Sequence, residues 1–521
     1  MAVLDQRRAG ILLHITSLSK PWGHGDLGNC AYQFVDFLNK SRLSVWQVLP
    51  IHPLSNPEDL SPYQPQSVHA GNPLLISLEW FQQKERRWLH PTDVPPPKNN
   101  LSIQEVAAYR FQKLLKAYCG FKELKQNPYL ESYEQFKTEQ SHWLSDYALF
   151  RALKQEFQGK PWFDWETPYR DRDKQVLQQA QIEFADSIEY CCFEQFVFFE
   201  QWRELQQYAH ENGVFLFGDM PFFAALDSAD VWANRAIFLL NQDGMPDFVA
   251  GDPPSTGYSE GQCWGNPLYR WSTMQADGFA WWKARFRTAH RLFDLVRLIH
   301  FRGFVQCYAV PANTRKATEG HQEDSPGAIF FNSLQSEFPQ YASQWIAEDI
   351  GTQENVPGGG KVMQLRTSFK IMGIKLLQLA FYYKLDSDQL DLGNWHLPHH
   401  HLPEYVVYSE SHDGQMIRGW FSHLDAKRRD YVHRYLQINH EADELWFFIE
   451  TVFKSCAKFA IIPMQDILGL DNSARMNDPK HPEAENWTWR YFPSQIDQVK
   501  ETYGFAVEEK LAELAERYER A

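Results

Sequence analysis

The stretch Leu295-Val-Arg-Leu-Ile-His-Phe-Arg302 decides the reading of the fold: an apolar run of strand length, carrying one arginine and stopped by polar side chains. Seven further stretches share that shape: residues 10–14, 45–50, 213–219, 345–349, 374–381, 405–413 and 459–466. Each is a short apolar run that breaks off at Asp, Glu, His, Gln or Pro. Continuous apolar runs suit strands covered on both faces, as in a parallel sheet; strands with one wet face alternate instead. Helical patterns lie between several of the runs. Residues 29–40 place Tyr32, Val35 and Leu38 at helical spacing, and Trp282, Phe286 and Phe293 form one stripe within 279–295. Eight strand–helix units predict an α/β fold, a (β/α)₈ barrel. Its chemistry is expected at the carboxyl ends of the strands, where the polar residues fall.

The interval from residue 53 to 212 is too long for a barrel loop. It contains Pro95-Pro96-Pro97 and then helical patterns at 103–118 and 193–210. The expected organisation is a barrel from residues 1–52 and 213–493, a mainly helical insertion over 53–212, and a charged amphipathic helix over 494–521 packed on the barrel.

Composition narrows the function. A net charge of −15, with no Lys/Arg run, gives no basic field for a nucleic acid. The first ten residues are polar, no apolar signal core follows them, and no stretch of some 18 apolar residues is present, so neither a secretory leader nor a membrane span is expected. Seven cysteines at scattered spacings argue against a disulfide framework, and the adjacent pair Cys191-Cys192 is not a zinc pattern. A reducing cytoplasm fits best, with no cofactor and no metal. The 19 Trp suit either a sugar cleft, where flat rings meet pyranose faces, or a tryptophan-rich core.

Several strand ends carry recognisable wording. Leu13-His-Ile-Thr-Ser-Leu18, Ser61-Pro-Tyr-Gln64, Gly218-Asp-Met-Pro221, Gly265-Asn-Pro-Leu-Tyr269, His300-Phe-Arg-Gly-Phe304, Ala347-Glu-Asp-Ile-Gly351, Ser411-His-Asp413, Arg475-Met-Asn477 and Asn486-Trp-Thr-Trp-Arg490 follow one another over residues 9–491. In that order they resemble the 4-α-glucanotransferase (amylomaltase, or disproportionating enzyme) family, glycoside hydrolase family 77, which uses an α-amylase-like barrel. The resemblance implies transfer of α-1,4-linked glucans with retained configuration, by a carboxylate nucleophile and a carboxylic acid roughly 5 Å apart. It implies Glu348 as general acid/base and Asp413 as the carboxylate that holds the reacting sugar. His412 and Arg297 match orienting groups, Asp219 and Asn477 further sugar contacts, and Trp264 and Tyr63 stacking surfaces. The plainer reading of Arg297 is a buried partner for Asp219 or Glu348, and of Trp264 a core residue. The expected ligand is a maltooligosaccharide or other α-1,4-glucan; the sequence leaves the oligomeric state open.

The resemblance breaks at one decisive place. The family motif Arg-x-Asp-His-Phe-Arg-Gly-Phe is here Arg297-Leu-Ile-His-Phe-Arg-Gly-Phe304, so Ile299 stands where the nucleophile is expected. Isoleucine has no lone pair to attack carbon, and loss of a covalent nucleophile costs on the order of 10⁴–10⁶ in rate. Other departures cluster nearby. His412-Asp413 is followed by Gly414 instead of Asn, Thr256-Gly257 replaces an aromatic pair with only Tyr258 near, Gly320-His321 lacks an aromatic neighbour, and Gly358-Gly-Gly360 loosens a connection. Asp252 is an added carboxylate in a loop expected to overhang the site, either a substitute base or sugar contact or a solvated loop acid. The run His396-Leu-Pro-His-His-His401 reads as a loop and not a metal site. Two functions stay open: an impaired enzyme on α-1,4-glucans, or a non-catalytic maltooligosaccharide-binding or regulatory protein.

Overall fold

The computed structural model describes every residue except 1–2, 20–23, 56–59, 84–85, 95–102, 125, 256–258, 351–358, 384–388, 439–443 and 482–484. The Pro95–Pro97 turn, the Thr256-Gly257-Tyr258 replacement and Gly358 therefore lie outside the described residues.

Each of the eight apolar runs supplies a barrel strand. In chain order with the strands between them they are β1 (Arg8–Leu12), β2 (Val45–Gln47), β3 (Phe215–Met220), β4 (Phe248–Asp252), β5 (Gln262–Pro267), β6 (Leu295–Leu298), β7 (Gln306–Pro311), β8 (His321–Asp324), β9 (Trp345–Ala347), β10 (Gly373–Leu376), β11 (Tyr405–Tyr408) and β12 (Phe459–Pro463). One eight-stranded sheet runs β10-β11-β12-β1-β2-β3-β6-β9, every pairing parallel. The Ala347 N–H donates to the Met372 carbonyl at 2.7 Å and the Met372 N–H to that of Trp345 at 3.2 Å, so β9 meets β10 and the sheet closes into a barrel. Leu12, Val45, Phe217, Leu295, Ile346, Ile374, Val406 and Ile461 belong to one cluster drawn from all eight strands. Their neighbours in sequence face the outer helices, which is why the runs read as continuously apolar.

The strands stop where the backbone turns, earlier than the fourth run suggests. β6 ends at Leu298 because His300 adopts a left-handed conformation, φ 52°, and residues Phe301–Phe304 form a 3₁₀ turn.

The remaining strands form a sheet that the apolar runs do not foretell: an antiparallel β5-β4-β7-β8. The segment expected as an overhanging loop at 249–258 is thus partly a strand, with Asp252 paired across to Gln262. The wholly exposed β8 and the polar residues of β5 escape a search for continuous apolar runs, and the short run Phe248-Val-Ala-Gly of β4 is flanked by no helical repeat that would mark a barrel unit.

Between β2 and β3 the longest helices are Ile103–Glu123, Ser141–Glu156 and Ala185–Glu211. The last is sewn to the loop after β2 by two buried glutamines. Gln195 accepts the Gly71 N–H at 2.8 Å and donates to the Gly71 carbonyl at 3.0 Å. Gln201 does the same to Ser77, at 2.7 and 3.1 Å. Each side-chain amide satisfies the N–H and the carbonyl of one residue, which would otherwise be buried unpaired. Trp202 donates to the Leu292 carbonyl at 2.9 Å and is one of many fully buried tryptophans, among them Trp46, Trp232 and Trp345. Much of the tryptophan is therefore core.

The C-terminal segment corrects the single-helix expectation. It forms two helices, Ser494–Tyr503 and Val507–Arg517, separated at Gly504, whose φ of 77° suits a residue without Cβ. Arg520, fully buried, donates to the carbonyls of Phe453, Arg8 and Ala457 at 2.7–3.1 Å and so pins the chain end to the amino side of β1 and β12.

No helix among the described residues is long and apolar enough to cross a membrane. The histidine run is occupied by local contacts: His396 Nδ1 accepts the Leu376 N–H at 3.2 Å, and His401 lies 2.7 Å from Ser455 Oγ.

Candidate active site

Seven of the residues singled out above form one continuous polar chain across the carboxyl ends of the barrel strands. It begins after β12, where Asn477 Nδ2 donates to Asp413 Oδ1 at 2.6 Å. His412 Nε2 lies 3.2 Å from the same oxygen and 2.9 Å from the Tyr63 hydroxyl. Tyr63 donates that hydroxyl to Asp219 Oδ2 at 2.8 Å. Arg297 Nη1 donates to Asp219 Oδ2 at 2.9 Å, and its Nη2 to Glu348 Oε1 at 2.5 Å. The seven members come from six strand ends or following loops, His412 and Asp413 sharing the one after β11, so barrel closure brings the six together.

The electrostatics follow from burial. Arg297 and Asp219 are 3 % and 2 % exposed. Burial disfavours the Arg297 cation, but Asp219 and Glu348 outweigh that and hold its pKa well above the ordinary value. Glu348 is balanced the other way from most buried acids. Burial pushes it up, yet Arg297, the His300 ring and the His300 N–H together hold it below the usual carboxylate range. The His300 N–H donates to Glu348 Oε2 at 2.8 Å, a bond made available by the left-handed turn at that residue. Burial keeps Tyr63 protonated, consistent with its donor role, and keeps His412 neutral.

Tyr63 does not lie open as a stacking plate. Its ring packs parallel to His412, centroids 5.5 Å apart, with Trp487 at 5.7 Å. Trp264, in β5, lays its indole face on the His300 ring at 4.4 Å and 5°. Asp252 ends β4 and stands outside the polar chain; burial raises its pKa, with His300 and Arg302 pulling it down. Ile299 follows β6 directly, 5 % exposed, its N–H bonded to the Met220 carbonyl at 3.2 Å. Among the described residues its side chain joins none of the three apolar clusters.

The sequence profile described as 4-alpha-glucanotransferase matches residues 13–494. The chain belongs to the 4-alpha-glucanotransferase family. The 4-alpha-glucanotransferase of Aquifex aeolicus is 40% identical over 489 residues, covering 93% of this chain and 95% of its own length. That of Thermus thermophilus is 37% identical, over 94% and 96% of the two chains. In three dimensions the chain superposes on the amylomaltase from Streptococcus agalactiae in complex with acarbose with a TM-score of 0.89, at 27% identity, over 99% of this chain and 100% of that one. Membership in this family means an α-amylase-like barrel and a scaffold built to act on α-glucans.

The 4-alpha-glucanotransferase scaffold also holds its site with residues that sequence reasoning missed. His300 is one: its backbone supports Glu348 and its ring supports Trp264. Gln64 and Asn266 exchange amide hydrogen bonds at 3.0 and 3.1 Å and tie the Tyr63 loop to β5. Glu410, two residues past β11, is buried beside Asp413. A left-handed residue and a buried acid in a turn leave no periodic trace, so no pattern could have marked them.

Proposed function

We propose that this 4-alpha-glucanotransferase-family chain binds α-1,4-glucans, maltooligosaccharides among them, at the carboxyl ends of its barrel strands. Ordinary retaining transfer is lost or very weak, because Ile299 occupies the nucleophile position. Glu348 takes the acid/base place and Asp413, with Asn477 and His412 beside it, the place that grips sugar hydroxyls.

The observation that carries this reading is the Arg297 fork. With no carboxylate at residue 299, the guanidinium binds Asp219 and Glu348. Two deficits follow. Retention requires a covalent bond to the sugar carbon, and isoleucine offers no lone pair. The first step also needs a protonated acid, and Arg297 favours the ionised form of Glu348.

The experiment is incubation of the protein with maltotriose beside Ile299→Asp, with products separated by chain length and binding followed by calorimetry. Binding without products in the unaltered protein, and glucose plus longer maltodextrins from Ile299→Asp, are expected. Equal turnover in both would sink the proposal and make Asp252 the substitute to test, by Asp252→Ala.

A second reading, a non-catalytic maltooligosaccharide-binding or regulatory protein, is favoured by the same Arg297–Glu348 pair. It predicts tight binding that Ile299→Asp leaves unchanged, and no products from either form.

A further inference from the structure

Glu410 stands at the mouth of the barrel, and the mechanism above gives it no part. It is 5 % exposed, and its Oε1 accepts the Ser411 N–H at 2.8 Å. The turn closes when the Gly414 N–H donates to the Ser411 carbonyl at 3.2 Å. An ideal Cβ on Gly414 would fall 1.8 Å from Glu410 Cγ and 2.3 Å from its Cδ, so no side chain fits at residue 414 while Glu410 is in place. The two residues share one niche.

Asp413 projects from that same turn. The Ser411 hydroxyl lies 3.3 Å from the Asp413 N–H, Arg475 donates to the Asp413 carbonyl, and Asn477 holds the carboxylate from outside. The shape of the turn therefore sets where Asp413 points.

The charged and titratable groups facing Glu410 come from four segments. They are Asp413 on its own turn, Asp466 after β12, Arg475 beyond it, and Tyr382 in the loop after β10. Burial pushes Glu410 up to about 8; Asp466 and Asp413 add to this, while the Ser411 N–H and Arg475 oppose it. At neutral pH it is an uncharged acid. In alkali it becomes a third negative charge beside two others.

We propose that Glu410 is a positioning residue: packed into the niche that Gly414 leaves open, it fixes the turn that presents Asp413 to a bound sugar, and sugar binding depends on its protonation. This rests on the glucan-binding reading above.

The test is maltotriose binding by calorimetry from pH 6 to 9, for the natural protein and Glu410→Gln, whose amide still fills the niche and accepts the Ser411 N–H. Binding by the natural protein weakens about tenfold over this range, the scale of adding one like charge beside Asp413, while Glu410→Gln changes less than about twofold. Titrating groups away from the niche are common to both proteins and cancel in the comparison, and Asp466, which faces Glu410, is held constant by repeating both profiles in Asp466→Asn. Parallel pH profiles, with binding intact, overturn the inference alone. No binding at any pH in either protein overturns the glucan reading and this inference with it. The niche is checked independently by thermal unfolding. Gly414→Ala lowers the midpoint, and Glu410→Ala in the same chain restores it; failure to restore it would overturn the shared niche.

Discussion

At the scale of single residues, the site turns on what Arg297 is given to hold. A buried guanidinium must have its donors satisfied, by carbonyls as at Arg520 or by anions, and here Arg297 takes Asp219 and Glu348 together. Tyr63 is the joint between that pair and the His412–Asp413–Asn477 half of the chain. Tyr63→Phe removes one hydroxyl and leaves Asp219 short of a donor in a dry place. It should cost about 1–3 kcal/mol in chemical denaturation and weaken maltotriose binding; an unchanged midpoint would mean that water replaces the hydroxyl. Most of this chain was legible in the sequence, because family wording marks residues at strand ends. Asp252 shows the limit of such reading. Its neighbours in sequence are a strand, and the loop words around it said nothing of its pairing with Gln262.

At the scale of elements, strand identity was legible wherever both faces are buried. The eight barrel strands announce themselves as apolar runs, while β5 and β8 are broken by polar side chains; β4 and β7 carry short apolar runs as well, so the run alone does not say which sheet a strand joins. The long helix Ala185–Glu211 depends on a different device. Gln195 and Gln201 lie inside an apolar interface and each satisfies both main-chain polar groups of one residue. Gln195→Leu would leave the Gly71 N–H and carbonyl unpaired in the interior. A loss of about 2–5 kcal/mol is expected from denaturant unfolding. A loss below about 0.5 kcal/mol would mean that the helix is not anchored there.

At the scale of the whole molecule, burial of titratable groups sets the pH response. Burial pushes Asp466 up to about 7, against the Ile417 N–H and Ser409 hydroxyl, and Glu410 up to about 8. Unfolded, both titrate near 4, so the folded chain binds extra protons between that pH and 7–8, and stability falls as pH rises through this window. His14 and His24 are held down at about 3, by burial and by neighbouring cations. Unfolded, they take up protons below about 6.5, so their contribution is complete above that pH and is lost as pH falls. Above pH 6.5 the changing groups are three acids, Glu410, Asp466 and Asp219, the last also lifted by burial to about 7, and against them Lys375, which burial lowers to about 7 and which works in the opposite direction. The unfolding midpoint should therefore decline from pH 6.5 to 8.5, and Asp466→Asn should flatten part of the decline; a rising midpoint would contradict the assignment. The sequence by itself determined the barrel, its strand order along the chain, the family and the identity of the residue at position 299, because these rest on local patterns and on words written in one stretch. Only after folding is it settled that Arg297 holds Asp219 and Glu348 at once, where the sequence offered either, that Glu410 fills the space left by Gly414, and that the tail breaks into two helices. Those outcomes depend on which side chains meet after closure, and on the loss of water around them, and neither is written in any single stretch of chain.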